Sequence, residues 1–223
     1  MTESAWLRSL TDPDPAVLRL LDDPDEVTVR ILAAAVEQMA VVGWRRSTVE
    51  DVAKRAKVGR ATVYRKFPNK NALTEAVLHD EFRKYLAGST AAVAGLTDVT
   101  ERLAESTAYT VEYLRGHRLL RRLLETEPDA ILPGLTVDAG PMIALFREFC
   151  LALWRRELYG DTTLSGPTDE HLATVAELHI RITLSLLLTP DTGIALDTGD
   201  QARAFARDYL APMLTVPPGQ SPL

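Results

Sequence analysis

The stretch GWRRSTVEDVAKRAKVGRATVYRKFPNKNAL, residues 43–73, decides how the rest of the chain is read. It carries nine basic residues (Arg45, Arg46, Lys54, Arg55, Lys57, Arg60, Arg65, Lys66 and Lys70) against two acids, Glu50 and Asp51, a local charge of +7. The whole 223-residue chain has a formal charge of −6, so the remainder sums to −13. A basic island in an acidic protein points to an anionic partner met by one face only.

The apolar residues inside the island follow helical spacing. Ser47 stands three residues before Glu50, the pattern of a capping box, so a helix is expected to start there with Val49, Val52, Ala53 and Ala56 on its inner side. Lys57-Val58-Gly59 then reads as a three-residue turn, and Arg60 to Phe67 as a second short helix with Val63 and Phe67 turned inward. Two short helices joined by such a turn, the second rich in Arg, Thr and Tyr, form a helix-turn-helix. Its first helix braces on the phosphate backbone and its second enters the major groove. Ala53 must be small where the helices cross, and Ala61 is small enough for close approach to a duplex.

With these residues in place, the stretch resembles the DNA-binding signature of TetR-family transcriptional regulators. The matching positions are Gly43 and Trp44, the hydroxyl pair Ser47 and Thr48, then Val49, Val52, Ala53, Ala56, Val58, Ala61, Tyr64, Phe67, Lys70 and Leu73. The resemblance implies a set of residues facing DNA: Arg45, Arg46, Ser47, Thr48, Arg60, Ala61, Thr62, Tyr64, Arg65, Lys66 and Lys70. Thr48 would hold a phosphate at a helix start. Tyr64, Lys66 and Lys70 would touch the backbone, and Arg60, Ala61 and Thr62 would read bases, Arg60 by a bidentate contact to guanine. Two positions depart from the family pattern. Gly59 replaces the usual serine cap, and Lys57 replaces a turn glycine. At positive φ that lysine costs on the order of 1 kcal/mol.

No strand alternation and no internal repeat is visible, so the expected fold is all-α, with about nine helices. Four segments are expected: an acidic amino-terminal arm (1–23), a helix-turn-helix domain (24–88), a larger helical domain (89–215) and a disordered tail (216–223). In the arm, Asp12-Pro13-Asp14-Pro15 resists helix and Ala16–Leu21 is expected to make at most a short turn. Asp23 and Pro24 read as the start of the first strong helix, stopped by Gly43. Further on, Pro133 and Gly134 mark Pro128–Gly140 as loop. A helix capped by Thr168, the eighth expected, is apolar nearly all round in its second half, so it and the ninth, starting at Asp200, are the expected dimer elements, through Leu172, Val175, Ile182, Leu186, Phe205 and Tyr209. The resemblance implies the same homodimer on a palindromic operator, and a small effector bound in the larger domain. Tyr109, Tyr113, Met142, Phe146, Phe149, Trp154 and His179 are the candidate pocket residues, and their apolar character favours a hydrophobic ligand.

Nothing in the sequence frames a catalytic site. The four histidines are scattered, no Gly-rich phosphate loop appears, and a single cysteine, Cys150, allows neither an internal disulfide nor a Cys-cluster metal site. No cofactor and no metal are expected. The start of the chain does not read as a secretory signal, and Leu178–Leu188, interrupted by Arg181, is expected to be too short to span a membrane. The expected protein is therefore a cytoplasmic, nucleoid-associated regulator of transcription, acting as a repressor. The alternatives are a TetR-like fold without an effector, or a helical enzyme or adaptor with a basic interaction patch.

Overall fold

The computed structural model describes residues 15–159, 166–189 and 193–215. The first part of the acidic arm, including Trp6 and Leu7, the segment 160–165 and the tail 216–223 lie outside the described residues. Among those described, every regular element is helical. Packing divides the chain into two units, each drawn from two pieces. One takes the chain up to Leu86 together with His117–Met142, and the other takes Ala87–Gly116 together with the chain from Ile143 onward.

The first unit begins with α1 (Pro15–Asp22), where at most a turn was expected. Val17 and Leu21 close into the core, and the Arg83 guanidinium donates to the Leu21 carbonyl at the helix end. Tertiary burial outweighs the weak local preference of so short a segment. Helix α2 (Glu26–Val42) is capped by Asp25, not Asp23, whose side chain accepts from the Thr28 amide at 2.8 Å and the Thr28 hydroxyl at 2.6 Å. Ile31, Leu32, Ala35 and Met39 form its buried stripe. Gly43 ends it at φ +86°, with its N–H donating to the Met39 carbonyl at 2.9 Å.

Two short helices, α3 (Val49–Arg55) and α4 (Arg60–Lys66), follow, and then α5 (Lys70–Ala92), whose first turn is capped by Asn69 accepting from the Ala72 amide at 2.9 Å. The unit is completed from further along the chain by α7 (Arg118–Thr126) and α8 (Pro128–Leu135). Leu119, Leu123 and Ile131 are buried in the same cluster as Ile31, Val63, Phe67 and Leu73. The division therefore differs from a boundary at residue 88. Residues 117–142, expected with the larger domain, bury their apolar side chains in the unit that holds the helix-turn-helix. Helix α8 is also a correction, because Pro128–Gly140 was expected to be loop. Pro128 occupies the first helical turn, where its missing N–H costs nothing, and Ile131 anchors the segment from within.

The second unit holds α6 (Val99–Gly116), most of α9 (Gly140–Tyr159), α10 (Gly166–Leu188) and α11 (Gly199–Phe205). After α11 the chain widens into a π-helical turn (Ala206–Leu210) and tightens into a 3-10 turn (Ala211–Leu214) around Pro212. Asp98 caps α6, accepting from the Glu101 amide at 2.9 Å, and Thr198 with Gln201 forms a full capping box on α11. Arg203–Glu105 at 2.8 Å and Arg207–Glu101 at 2.6 Å tie the last helical segment to α6. Residues Thr168–Leu188 form one helix longer than the apolar run expected from sequence. It is long and apolar enough, by length and composition alone, to cross a membrane, yet only 22% of its most apolar window is buried within the chain. Glu177 and Arg181 pair at 2.8 Å along this helix.

Candidate nucleic-acid interface

The helix-turn-helix is built by local hydrogen bonds and a small apolar core. Thr48, not Ser47, caps α3: its Oγ1 accepts from the Asp51 amide at 3.1 Å and donates to the Asp51 carboxylate at 2.6 Å. Ser47 is turned inward instead. It is 2% exposed and its hydroxyl donates to the Gly43 carbonyl at 2.8 Å, which removes it from the DNA-facing set. At the other end of α3, Val58 N–H donates to the Ala53 carbonyl at 3.0 Å and Lys57 N–H to the Lys54 carbonyl at 3.2 Å. These paired bonds make a Schellman motif, which requires a left-handed residue at its pivot. Lys57 occupies that pivot with φ 55°, the sole non-glycine positive φ among the described residues. The motif aims Val58 into the core, where Val49, Val52, Ala53, Ala56, Val63 and Phe67 are buried.

Helix α4 leaves Gly59 as a cap without a side-chain bond and exposes Arg60, Ala61, Tyr64 and Arg65, with Thr62 half-buried. Arg60 lies over the Tyr64 ring, 5.2 Å from its centroid, and pairs with Glu50 of α3 at 2.7 Å. The guanidinium is thus held between an aromatic face and a carboxylate, both solvent-exposed and both exchangeable for a base or phosphate.

Several of the other cations are engaged within the chain. Lys66 donates to both carboxylate oxygens of Asp25, at 2.9 and 2.7 Å, and with the Thr28 hydroxyl and amide it holds that carboxyl well below the usual carboxylate range. Lys70 donates to the Arg45 carbonyl at 2.9 Å; its burial pushes the ammonium below the usual lysine value, with the Glu127 charge opposing. Arg46 donates from Nε to the Val42 carbonyl at 3.1 Å, closing the end of α2. Arg45 makes a forked pair with Asp129, at 2.7 and 3.2 Å, and its backbone N–H donates to Glu127. Asp25, Glu127 and Asp129 are thus intrachain partners of the basic stretch that periodicity and spacing did not disclose. They lie far from residues 43–73 in sequence, and only the fold delivers them.

The effector and dimer residues divide differently from expectation. Tyr109 and Tyr113 stack at 5.7 Å on α6, and Trp154 meets His179 edge-on at 5.2 Å, but these pairs stand apart. Phe146 and Phe149 are half-buried along α9, and Met142 falls in the first packing unit. None of the seven lines the groove found in the second unit, which is walled by Val111, Leu114, Leu186, Leu187, Leu196 and Phe205, with Thr107, Arg115 and Thr183 as its polar members. Two expected interface residues, Leu172 (0% exposed) and Val175 (3%), are closed inside their own chain and cannot meet a partner. Leu186 and Phe205 face the groove, Ile182 is half-buried, and Tyr209 is 66% exposed. Among the described residues no cluster of His, Cys, Asp or Glu could hold a metal ion.

An exposed, basic second helix locked to a capped first helix by a tight turn defines a helix-turn-helix DNA-binding protein. Residues 31–77 match the family described as bacterial regulatory proteins, tetR family. The chain is 43% identical over 48 residues to an uncharacterized HTH-type transcriptional regulator, YvkB, of Bacillus subtilis (strain 168), covering 22% of this chain and 25% of that protein. It is 27% identical over 170 residues, 75% of each chain, to an uncharacterized HTH-type transcriptional regulator, Rv1255c, of Mycobacterium tuberculosis (strain ATCC 25618 / H37Rv). Among solved structures, the TetR family repressor AlkX from Dietzia sp. strain DQ12-45-1b matches with a TM-score of 0.59 and 21% identity, over 83% of this chain and 96% of that one. A TetR-like transcriptional regulator from Rhodococcus sp. RHA1 matches with a TM-score of 0.53 and 15% identity, over 81% and 91%. Residues 31–77 thus form a helix-turn-helix segment of the tetR-family kind, and the described fold is shared with TetR-like transcriptional regulators.

Proposed function

We propose that this protein is a TetR-family regulator that represses transcription as a homodimer on a palindromic operator in the cytoplasm, at the nucleoid, and is released by a small apolar effector. The observation that carries the reading is the face of α4, where Arg60, Ala61, Tyr64 and Arg65 are exposed side by side and Arg60 is already ordered over Tyr64. Arg60, Ala61 and Thr62 are assigned to base reading, and Tyr64 and Arg65, with Thr48, Arg45 and Arg46, to phosphates. Lys66 and Lys70 act on DNA only by giving up the partners they hold.

One helix-turn-helix contacts too few base pairs for tight specific binding, which calls for a second copy and a second half-site. Helix α10 supports this. It is apolar, largely unburied within its own chain, and exposes Leu178. The dimer face is assigned to Leu178, Ile182 and Tyr209, without Leu172 and Val175. The lining of the second-unit groove supports an apolar effector.

The test is selection of bound duplexes from a random pool, followed by titration of the selected site. A palindromic consensus bound two chains per duplex, with Arg60→Ala weakening it by roughly 1–3 kcal/mol, is the expected result. Binding without sequence preference, or an Arg60→Ala variant with unchanged affinity and preference, would overturn the assignment.

A further inference from the structure

The α7–α8 junction contributes two carboxylates to the turn that launches the DNA-binding helices, and they make opposite kinds of contact. Glu127 is nearly buried, 6% exposed. It accepts the Arg45 backbone N–H on both oxygens, at 3.0 and 3.2 Å. Its Oε1 also fills the space where a side chain at Gly43 would stand, so that residue is glycine for two reasons, its φ of +86° and this close approach. The Arg45 carbonyl is held from the other side by Lys70, and the Gly43 carbonyl accepts from the Ser47 amide at 3.3 Å and hydroxyl at 2.8 Å. The whole segment Gly43–Ser47 is therefore pinned. It ends one residue before Thr48, the cap of α3. Asp129, in contrast, is exposed, and the side chain it holds is the Arg45 guanidinium, itself 60% exposed.

We infer that Glu127 is a positioning residue for operator recognition and that Asp129 is a competitor for Arg45. Glu127 fixes the angle at which α3 and α4 leave α2, although it lies outside the helix-turn-helix and meets no DNA. Asp129 occupies a guanidinium assigned to a phosphate, and an exposed pair of this kind exchanges at low cost. Neighbouring carboxylates two residues apart thus act with opposite sign. The Asp129 half rests on the proposed Arg45–phosphate contact, and the Glu127 half does not, because although Glu127 also lies 4.0 Å from the Arg45 Nε, its hydrogen-bonded partner is a backbone amide present in any variant of Arg45.

The experiment is operator affinity of the full chain by fluorescence anisotropy at low and high salt, with thermal midpoints recorded for every variant and binding measured well below them. Glu127→Ala is expected to weaken binding by about tenfold or more, the scale of one buried N–H left without its acceptor. Glu127→Gln, whose amide oxygen still accepts, is expected to restore most of it. If the alanine variant does not fold, Glu127→Asp retracts the carboxylate by one methylene and is expected to weaken binding in the same direction. Asp129→Asn is expected to tighten binding several-fold at low salt, an effect that fades at high salt and vanishes when Arg45 is also replaced by Ala. Folded Glu127 variants that bind like the wild type, with only the thermal midpoint lowered, would overturn the positioning role. Arg45→Ala with unchanged affinity would overturn the Asp129 role together with the phosphate contact, and would leave the Glu127 result standing.

Discussion

Acid should destabilise this protein through one buried imidazole well before most of its carboxylates titrate. His179 is 6% exposed, packed edge-on against Trp154, and its Nε2–H donates to the Leu210 carbonyl at 3.2 Å. Its Nδ1 is buried without a hydrogen-bond partner, so a second proton there would have no acceptor. Burial pushes the imidazole down from 6.5 to about 4, with the Leu210 carbonyl only partly opposing. The unfolded chain therefore binds more protons than the folded one between those values. The resulting stability is fully present above about pH 6.5 and is lost as pH falls toward 4. At pH 5 the loss from this group alone is ~2 kcal/mol, from the ratio of protonation polynomials at the two values. The assay is urea unfolding between pH 7.5 and 5 at fixed protein concentration, beside His179→Gln, which does not titrate. The wild type should lose ~2 kcal/mol more than the variant across that interval. Parallel pH profiles for the two proteins would refute the reasoning, because every other titrating group is common to both.

Other expectations follow from single contacts. Lys57→Gly relieves roughly 1 kcal/mol of left-handed strain and returns part of it as unfolded-state entropy. The net gain should be ~0.5 kcal/mol in chemical denaturation, with operator affinity unchanged. Phe67→Ala empties a fully buried site between α4 and α5 and should cost about 3–5 kcal/mol, read by the same method. Burial pushes the Cys150 thiol up to about 11, so its reaction with a thiol reagent at pH 8 should be slow and should accelerate only with unfolding. Gly88→Ala would drive a methyl group into the Tyr109 hydroxyl and should lower the thermal midpoint.

The helix-turn-helix was legible because its constraints are local. The period of Val49, Val52, Ala53 and Ala56, the breaker Pro68 and the cap Asn69 sit where the structure uses them, and Lys57 takes the positive φ that the missing turn glycine implied. Cap positions slipped by one or two residues, from Ser47 to Thr48 and from Asp23 to Asp25, because several adjacent residues could cap and packing chose between them. Helices α1 and α8 were missed because proline-rich composition argued against them, while burial of Leu21 and Ile131 stabilises them from outside the segment. The charge partners of the basic island were invisible for the same reason. Asp25 and Lys66 are 41 positions apart and Arg45 and Asp129 are 84 apart, and no periodicity links them. The apolar residues of the second half were read correctly as apolar, but spacing could not say which would be sealed in core, as Leu172 is, and which would line the groove, as Leu186 does.

The two-piece composition of the first unit limits how this protein can be cut and recombined. A fragment ending at Leu86 would lose Leu119, Leu123 and Ile131 from its interior and would expose the apolar side of α2 that they cover. Grafting the reader of this regulator onto another sensor would therefore need both the amino-terminal segment and the 117–142 insert. Exchanging either piece alone would strip Leu119, Leu123 and Ile131 of the neighbours they pack against.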